Sequence, residues 1–219
     1  MGAIMRNCML VLLLALVPLV PGCGCVDWFS YVFAPASPMR TVEPEFAALE
    51  KKTVAVVIFA GAETRLEHGT IELELSDAVS SELRKRVKGV RTIDPRKIMR
   101  YQEENPRWDS MPPGRLCGVF SSDYVLLISV MEFATRERGS MHLARGRIAA
   151  EAAIYDGEAS EESLSSARWR TDMIRIAYPE KAPVGVPARD DWAIRGNTCR
   201  TYAVELVKRF YKHKVPKES

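Results

Sequence analysis

Three kinds of side chain in this sequence are able to do chemistry: five cysteines, three histidines and paired carboxylates. A thiol acts as nucleophile, metal ligand or acylation point through its thiolate, and as a crosslink only with a second thiol in reach. The cysteines are Cys8, Cys23, Cys25, Cys117 and Cys199. A zinc site wants two ligands close together on one element plus a third, and none of His68, His142 and His213 has such a neighbour. All three read as solvent-exposed, and no metal is expected. Acid–base catalysis needs one carboxyl of a pair desolvated or set beside a like charge. Glu161-Glu162 sits in a Ser-rich stretch where water keeps both ionised, and Glu103-Glu104 is a pair in sequence only. Asp190-Asp191-Trp192 reads as a helix start with a core tryptophan. Neither a glycine-rich phosphate cradle nor a Gly-x-Ser-x-Gly elbow occurs. No catalytic residue and no cofactor is therefore assigned.

The amino terminus carries the plainest signal. Arg6 supplies a positive charge, and the apolar run Cys8 to Val20 is too short to cross a bilayer and contains Pro18. Residues 1–22 thus read as an export signal. Its end, Val20-Pro21-Gly22-Cys23, resembles the lipobox of bacterial lipoproteins, in which the cysteine becomes lipidated and is then residue one. That resemblance implies cleavage before Cys23, two or three acyl chains on Cys23, and a membrane-anchored body facing the periplasm. Each buried CH2 contributes about 0.8 kcal/mol, so one chain is marginal and two hold firmly. Gly24 replaces the Asp of the inner-membrane retention signal, which favours the outer membrane. Cys25 suits the pattern less well, because Gly22 would occupy the place of a Leu or Val. An ordinary cleaved signal with an incidental cysteine is the alternative.

Residues 23–52 read as a lipidated tether and lead-in. Pro35, Pro38 and Pro44 break any helix, and Trp28, Phe29, Tyr31 and Phe33 form an aromatic cluster suited to docking. Phe46 to Leu49 is expected to turn beneath the first strand. The chain has 31 basic and 28 acidic residues, too even a balance to steer nucleic acid. Arg84-Lys85-Arg86 and Lys208 to Lys217 read as solvated helix faces. In an oxidising compartment Cys117 and Cys199 are able to pair. Two buried free thiols are the default.

The elements follow from periodicity. Thr53 to Ala60 is apolar on both faces, as in an interior strand. Thr70 to Val87 repeats apolar residues at helical spacing, and Gly89 follows as a C-terminal stop. Val90 to Ile93 is a short strand. Asp94-Pro95 opens a helix as N-cap and first residue. Arg115 to Phe120 is one or two helical turns, and Tyr124 to Phe133 a central strand apolar on both faces. Arg147 to Tyr155 alternates, with Arg147 and Glu151 on the wetter face. In the strand Ala167 to Ile176 the phase changes between Met173 and Ile174, which signals a bulge or a change of partner. Asp190 to Lys212 is the last helix, with Trp192, Cys199, Ala203, Leu206, Val207 and Phe210 inward. The expected fold is α/β: one domain over 53–213, a mixed five-stranded sheet with a parallel start and an antiparallel meander, helices mainly on one face. Residues 214–219 read as a disordered tail.

Several phrases, taken in order, are similar to those of the superfamily of the curli-secretion and penicillin-binding-protein-activator lipoproteins, whose domain is like the amino-terminal domain of TolB. They are Val54-Ala55-Val56-Val57-Ile58-Phe59, Arg91-Thr92-Ile93-Asp94, Ser121-Ser122-Asp123-Tyr124-Val125-Leu126, Ala153-Ile154-Tyr155-Asp156 and Ala167-Arg168-Trp169-Arg170-Thr171. The resemblance spans residues 53–212 and places Asp123 and Asp156 at strand boundaries. It implies a scaffold or activator subunit that binds envelope proteins, with self-association left open. The long alternating hairpins of the curli pore are absent, so pore formation is not implied. An envelope hydrolase and a periplasmic small-ligand carrier are the alternatives from other classes.

Overall fold

The computed structural model describes residues 39–140, 142–157, 165–181, 184–185 and 191–216. The export signal, Cys23, the Trp28–Phe33 cluster, Glu161-Glu162 and Asp190 lie outside them. The chain divides into two units, residues 1–40 with 215–219 and residues 41–214. Strand β1 (Met39–Val42) pairs with β8 (His213–Pro216) in a two-stranded sheet.

The larger unit is built on β2 (Thr53–Ala60), and the order of its main sheet is β3-β2-β4-β5-β6. Short β3 (Arg91–Thr92) and long β4 (Tyr124–Arg136) flank β2 in parallel, in a register running from Val54↔Tyr124 to Ala60↔Val130. β5 (Leu143–Asp156) and β6 (Trp169–Tyr178) continue antiparallel, and two-residue β7 (Val184–Gly185) adds to β5. The expected mixed five-stranded sheet is present, with β7 as a sixth strand beside it. The phase change in β6 is a bulge: Ala150 opposes Ile174 but Ala152 opposes Thr171, so Asp172 and Met173 together face Glu151.

Helices α2 (Ile71–Arg86) and α5 (Asp191–Val207) cover one face. Val54, Val56, Ile58 and Ala60 meet Leu75, Val79, Leu83, Tyr202 and Leu206 there. β5 comes so near α5 that a Cβ on Gly146 would lie 1.7 Å from Thr198 Oγ1. Ala55, Val57 and Val125 point to the other face. There they pack on α3 (Pro95–Glu104), a 3-10 turn (Trp108–Ser110) and α4 (Arg115–Phe120). These short elements cover only the β2 side; Met131 of β4, the unpaired residue of a bulge between Val130 and Glu132, is 62% exposed.

The structure corrects four expectations. Residues 41–52, read as the end of the tether, belong to the larger unit, and the turn expected beneath the first strand is there: Leu49 is fully buried and Phe46 packs edge-on to Tyr124 at 5.7 Å. Residues 214–216, read as part of the tail, continue β8 from His213. Helix α1 (Ala62–Glu67) was not anticipated, since it buries no residue and carries no apolar stripe. Trp192 is 69% exposed. The buried stripe of α5 runs through Ile194, Thr198, Tyr202 and Leu206. Trp192 stands in the turn ahead of the Arg195–Glu74 ion pair that ties α5 to α2.

Candidate functional site

The uncovered part of the sheet forms a trough, and the strand registers set its floor. Phe59, Ser129 and Glu151 occupy one row across β2, β4 and β5. Val57, Leu127, Ala153 and Arg170 occupy the next row, reaching β6. With strands about 4.8 Å apart, Phe59 and Glu151 are separated by about 10 Å, as are Leu127 and Arg170.

One wall is built by the chain between α3 and α4. Asp94 Oδ1 accepts from the Arg96 amide at 2.9 Å and Pro95 takes the first helical position, as its spacing predicts. Gln102 Nε2 donates to the Ile58 carbonyl at 2.9 Å, fixing α3 over β2. Asn105 closes the helix by donating from Nδ2 to the Tyr101 carbonyl at 2.8 Å, and its own carbonyl accepts from the Trp108 amide. Trp108 is thereby seated 6.2 Å from the Phe59 ring in an edge-on arrangement. Met111, Pro113 and Leu116 complete a notch of about 220 Å³ that continues, over Leu127 and Ser129, into a shallower hollow of about 110 Å³ ending at Glu151 and Arg170.

The polar groups of this trough are unengaged among the described residues. On β5, Arg145 pairs with Glu137 at 3.4 Å, Arg147 with Glu132 at 3.3 Å and Asp156 with Arg168 at 2.6 Å. Glu151 has no such partner. Arg170, Asp109 and the Ser129 hydroxyl are likewise without a side-chain partner among the described residues. A second groove, about 300 Å³, runs between α2 and α5 past Ala78, Ser81, Gly196 and Ala203. On its rim Glu74 pairs with Arg195 and Glu82 with Lys85 and Arg86, Arg200 donates to Asn197 Oδ1 at 2.8 Å, and Asp77 has no partner among the described residues.

The residues marked from the sequence fall elsewhere. Cys117 and Cys199 are free and buried, and the open question of a bond between them is answered against it. Cys117 belongs to the core under α4 and Cys199 to the core under α5, on opposite faces of the sheet. Burial pushes the Cys117 thiol up to about 11 and the Cys199 thiol up to about 12. His68 is not solvent-exposed: its side chain is 13% exposed and sits edge-on to Phe133 at 4.9 Å. His142 is exposed, and the His213 ring lies 3.1 Å from the Tyr211 carbonyl. Among the described residues no three His, Cys, Asp or Glu side chains are grouped to hold a metal ion. Glu103 and Glu104 are exposed. Asp123 does structural work, accepting from the Thr53 amide at 2.7 Å and from Lys52 at 3.3 Å. That amide bond holds its carboxyl below the ordinary range.

Phe59, Trp108, Leu127, Ser129 and Arg170 carried no signal strong enough to single them out in the sequence. Only Glu151 was placed on a wetter face. Ser129, the one polar residue in the run Val125 to Met131, was the available hint that one face of this central strand is uncovered.

No family model matches the chain, and no curated protein does. Among solved structures it is similar to the PelC dodecamer from Paraburkholderia phytofirmans, at 9% identity over 80% of this chain and 98% of that one, TM-score 0.44. It is similar to a lipoprotein from Neisseria meningitidis at 14% identity over 69% and 97%, TM-score 0.41. A protein from Xanthomonas campestris matches at 15% identity over 78% and 90%, TM-score 0.44.

Proposed function

We propose that this chain is an exported, lipid-anchored protein that acts without catalysis, as a docking subunit holding other proteins of the cell envelope. The observation that carries this reading is the trough: an apolar notch the size of one large side chain, continuous with unengaged polar groups. Its aliphatic hydroxyl, Ser129, has no histidine beside it and makes no hydrogen bond to Glu151 or to any other described residue, so a nucleophile–base pair is not assembled there. A carrier of small ligands buries most of its ligand's surface, whereas the trough lies open along an uncovered part of the sheet. The lipobox-like Val20-Pro21-Gly22-Cys23 supports the anchor, and the ordered phrases shared with curli-secretion and penicillin-binding-protein-activator lipoproteins support the docking role. Cys23 is the acylated residue in this reading, with the body held at the periplasmic side of the outer membrane. In-cell crosslinking followed by mass spectrometry tests it. The expected result is a reproducible set of envelope proteins joined to the wild type and lost from Cys23→Ala. A protein that joins to none contradicts the reading.

A further inference from the structure

The trough has a size, a direction and a charge order, and together they specify what would lie in it. Resting on the docking reading above, we infer that its occupant is an extended peptide segment of a partner protein: one bulky apolar residue, a basic residue one or two positions away, and an acidic residue about three positions away. The apolar residue fills the notch under Trp108, Met111 and Leu116, which at about 220 Å³ is smaller than cavities that enclose small molecules. Beyond the notch the floor is low, because Ala153 stands between Leu127 and Arg170 in the same row. A backbone therefore crosses the strands at this point without obstruction.

The distances set the spacing of the motif. Glu151 lies one strand from Ser129 and Arg170 two strands from Leu127, which is about 5 and about 10 Å. An extended chain advances about 3.3 Å per residue, so the two charges meet side chains one to two and about three residues from the anchor. Glu151 and Arg170 have no partner within the described chain, so a basic and an acidic residue gain ion pairs without breaking any. A fatty acid would satisfy Arg170 but offers no cation to Glu151. A second copy of the chain would have to offer the same three-residue order from an exposed segment.

Panning a phage-displayed library of random dodecapeptides on the full mature protein in detergent tests this. The enriched peptides are expected to share the apolar–basic–acidic order, and the best of them, made synthetically, is then titrated by fluorescence anisotropy. Ser129→Phe, which fills the trough without changing charge, is expected to weaken binding at least tenfold. Arg170→Glu, at an exposed position, is expected to weaken it about as much and, on renewed panning, to select a basic residue in place of the acidic one. Failure to enrich any shared order overturns the inference, as does a peptide whose affinity neither variant alters. Binding of laurate, or self-association abolished by Ser129→Phe, with no peptide enriched, overturns it in favour of that occupant. Envelope proteins that still crosslink to the Ser129→Phe variant would leave the docking function standing and remove this site from it.

Discussion

Cys117 and Cys199 are held apart by the sheet itself, and burial leaves both thiols far from ionisation at neutral pH. A water-soluble disulfide reagent at pH 8 is expected to leave both unlabelled in the folded protein and to label both in denaturant. Rapid labelling of either without denaturant would show that its burial is wrongly assigned. His68 makes a second residue-scale prediction. Burial holds its imidazole below the ordinary 6.5, with Arg195 acting the same way and Glu67, Asp191 and Glu74 opposing. The neutral ring is therefore the form the fold prefers. Its contribution is complete above pH 6.5 and is lost as the pH falls through the lowered value. Glu72 has the opposite sign. Burial raises its carboxyl above 4.5, so its contribution is present below 4.5 and lost as the pH rises through the raised value. Because the two overlap in mildly acid solution, the informative quantity is a difference. The stability of the wild type minus that of His68→Phe is expected to shrink between pH 7.5 and pH 5, and a difference that stays constant with pH would contradict the assignment.

At the scale of elements, two contacts decide where the trough walls and floor sit. Asp94 caps α3, and Asp94→Ala is expected to cost about 1 kcal/mol in denaturant unfolding, with an unchanged melting curve as the contrary result. Gly146 lets β5 lie against α5, and a Cβ there would collide with Thr198. Gly146→Ala is expected to cost about 1–3 kcal/mol by overpacking, and adding Thr198→Ala is expected to return part of that loss. If the pair of substitutions is as unstable as the sum of the two, the collision is not the cause. These elements also show what a sequence reveals. β2, α2 and the β6 bulge were legible from where apolar residues recur: on both faces of β2, in one stripe of α2 and in a phase shift at Ile174. α3 was legible from its Asp94-Pro95 start. α1 was invisible for the converse reason, since Ala62 to Glu67 buries nothing. Trp192 misled because helical phase alone placed it inward, and phase does not say where the neighbouring helix begins. The trough was illegible because it is an absence of cover. Leu127 and Ser129 look like the odd positions of any central strand until the elements that fail to reach them have been placed.

The molecule as a whole is an α/β body whose long helices α2 and α5 close one side of the sheet and whose short α3 and α4 leave part of the other side accessible. Most of its local chemistry has a structural explanation: Asp123 joins β4 to β2, Asp156 pairs with Arg168, and His68 packs on Phe133. What remains unengaged among the described residues of the trough, Ser129, Glu151 and Arg170, is what the proposed docking role would use. For such a body, two or more acyl chains convert a weak encounter into residence at one surface, which is why the account rests on Cys23. The decisive measurement is mass spectrometry of the amino-terminal peptide from protein recovered in the membrane fraction. An amino terminus at Cys23 carrying acyl mass, with Cys23→Ala released from that fraction, is the predicted result. A chain found in the soluble fraction with Cys23 unmodified, or still bearing residues 1–22 in the cytosol, would contradict it.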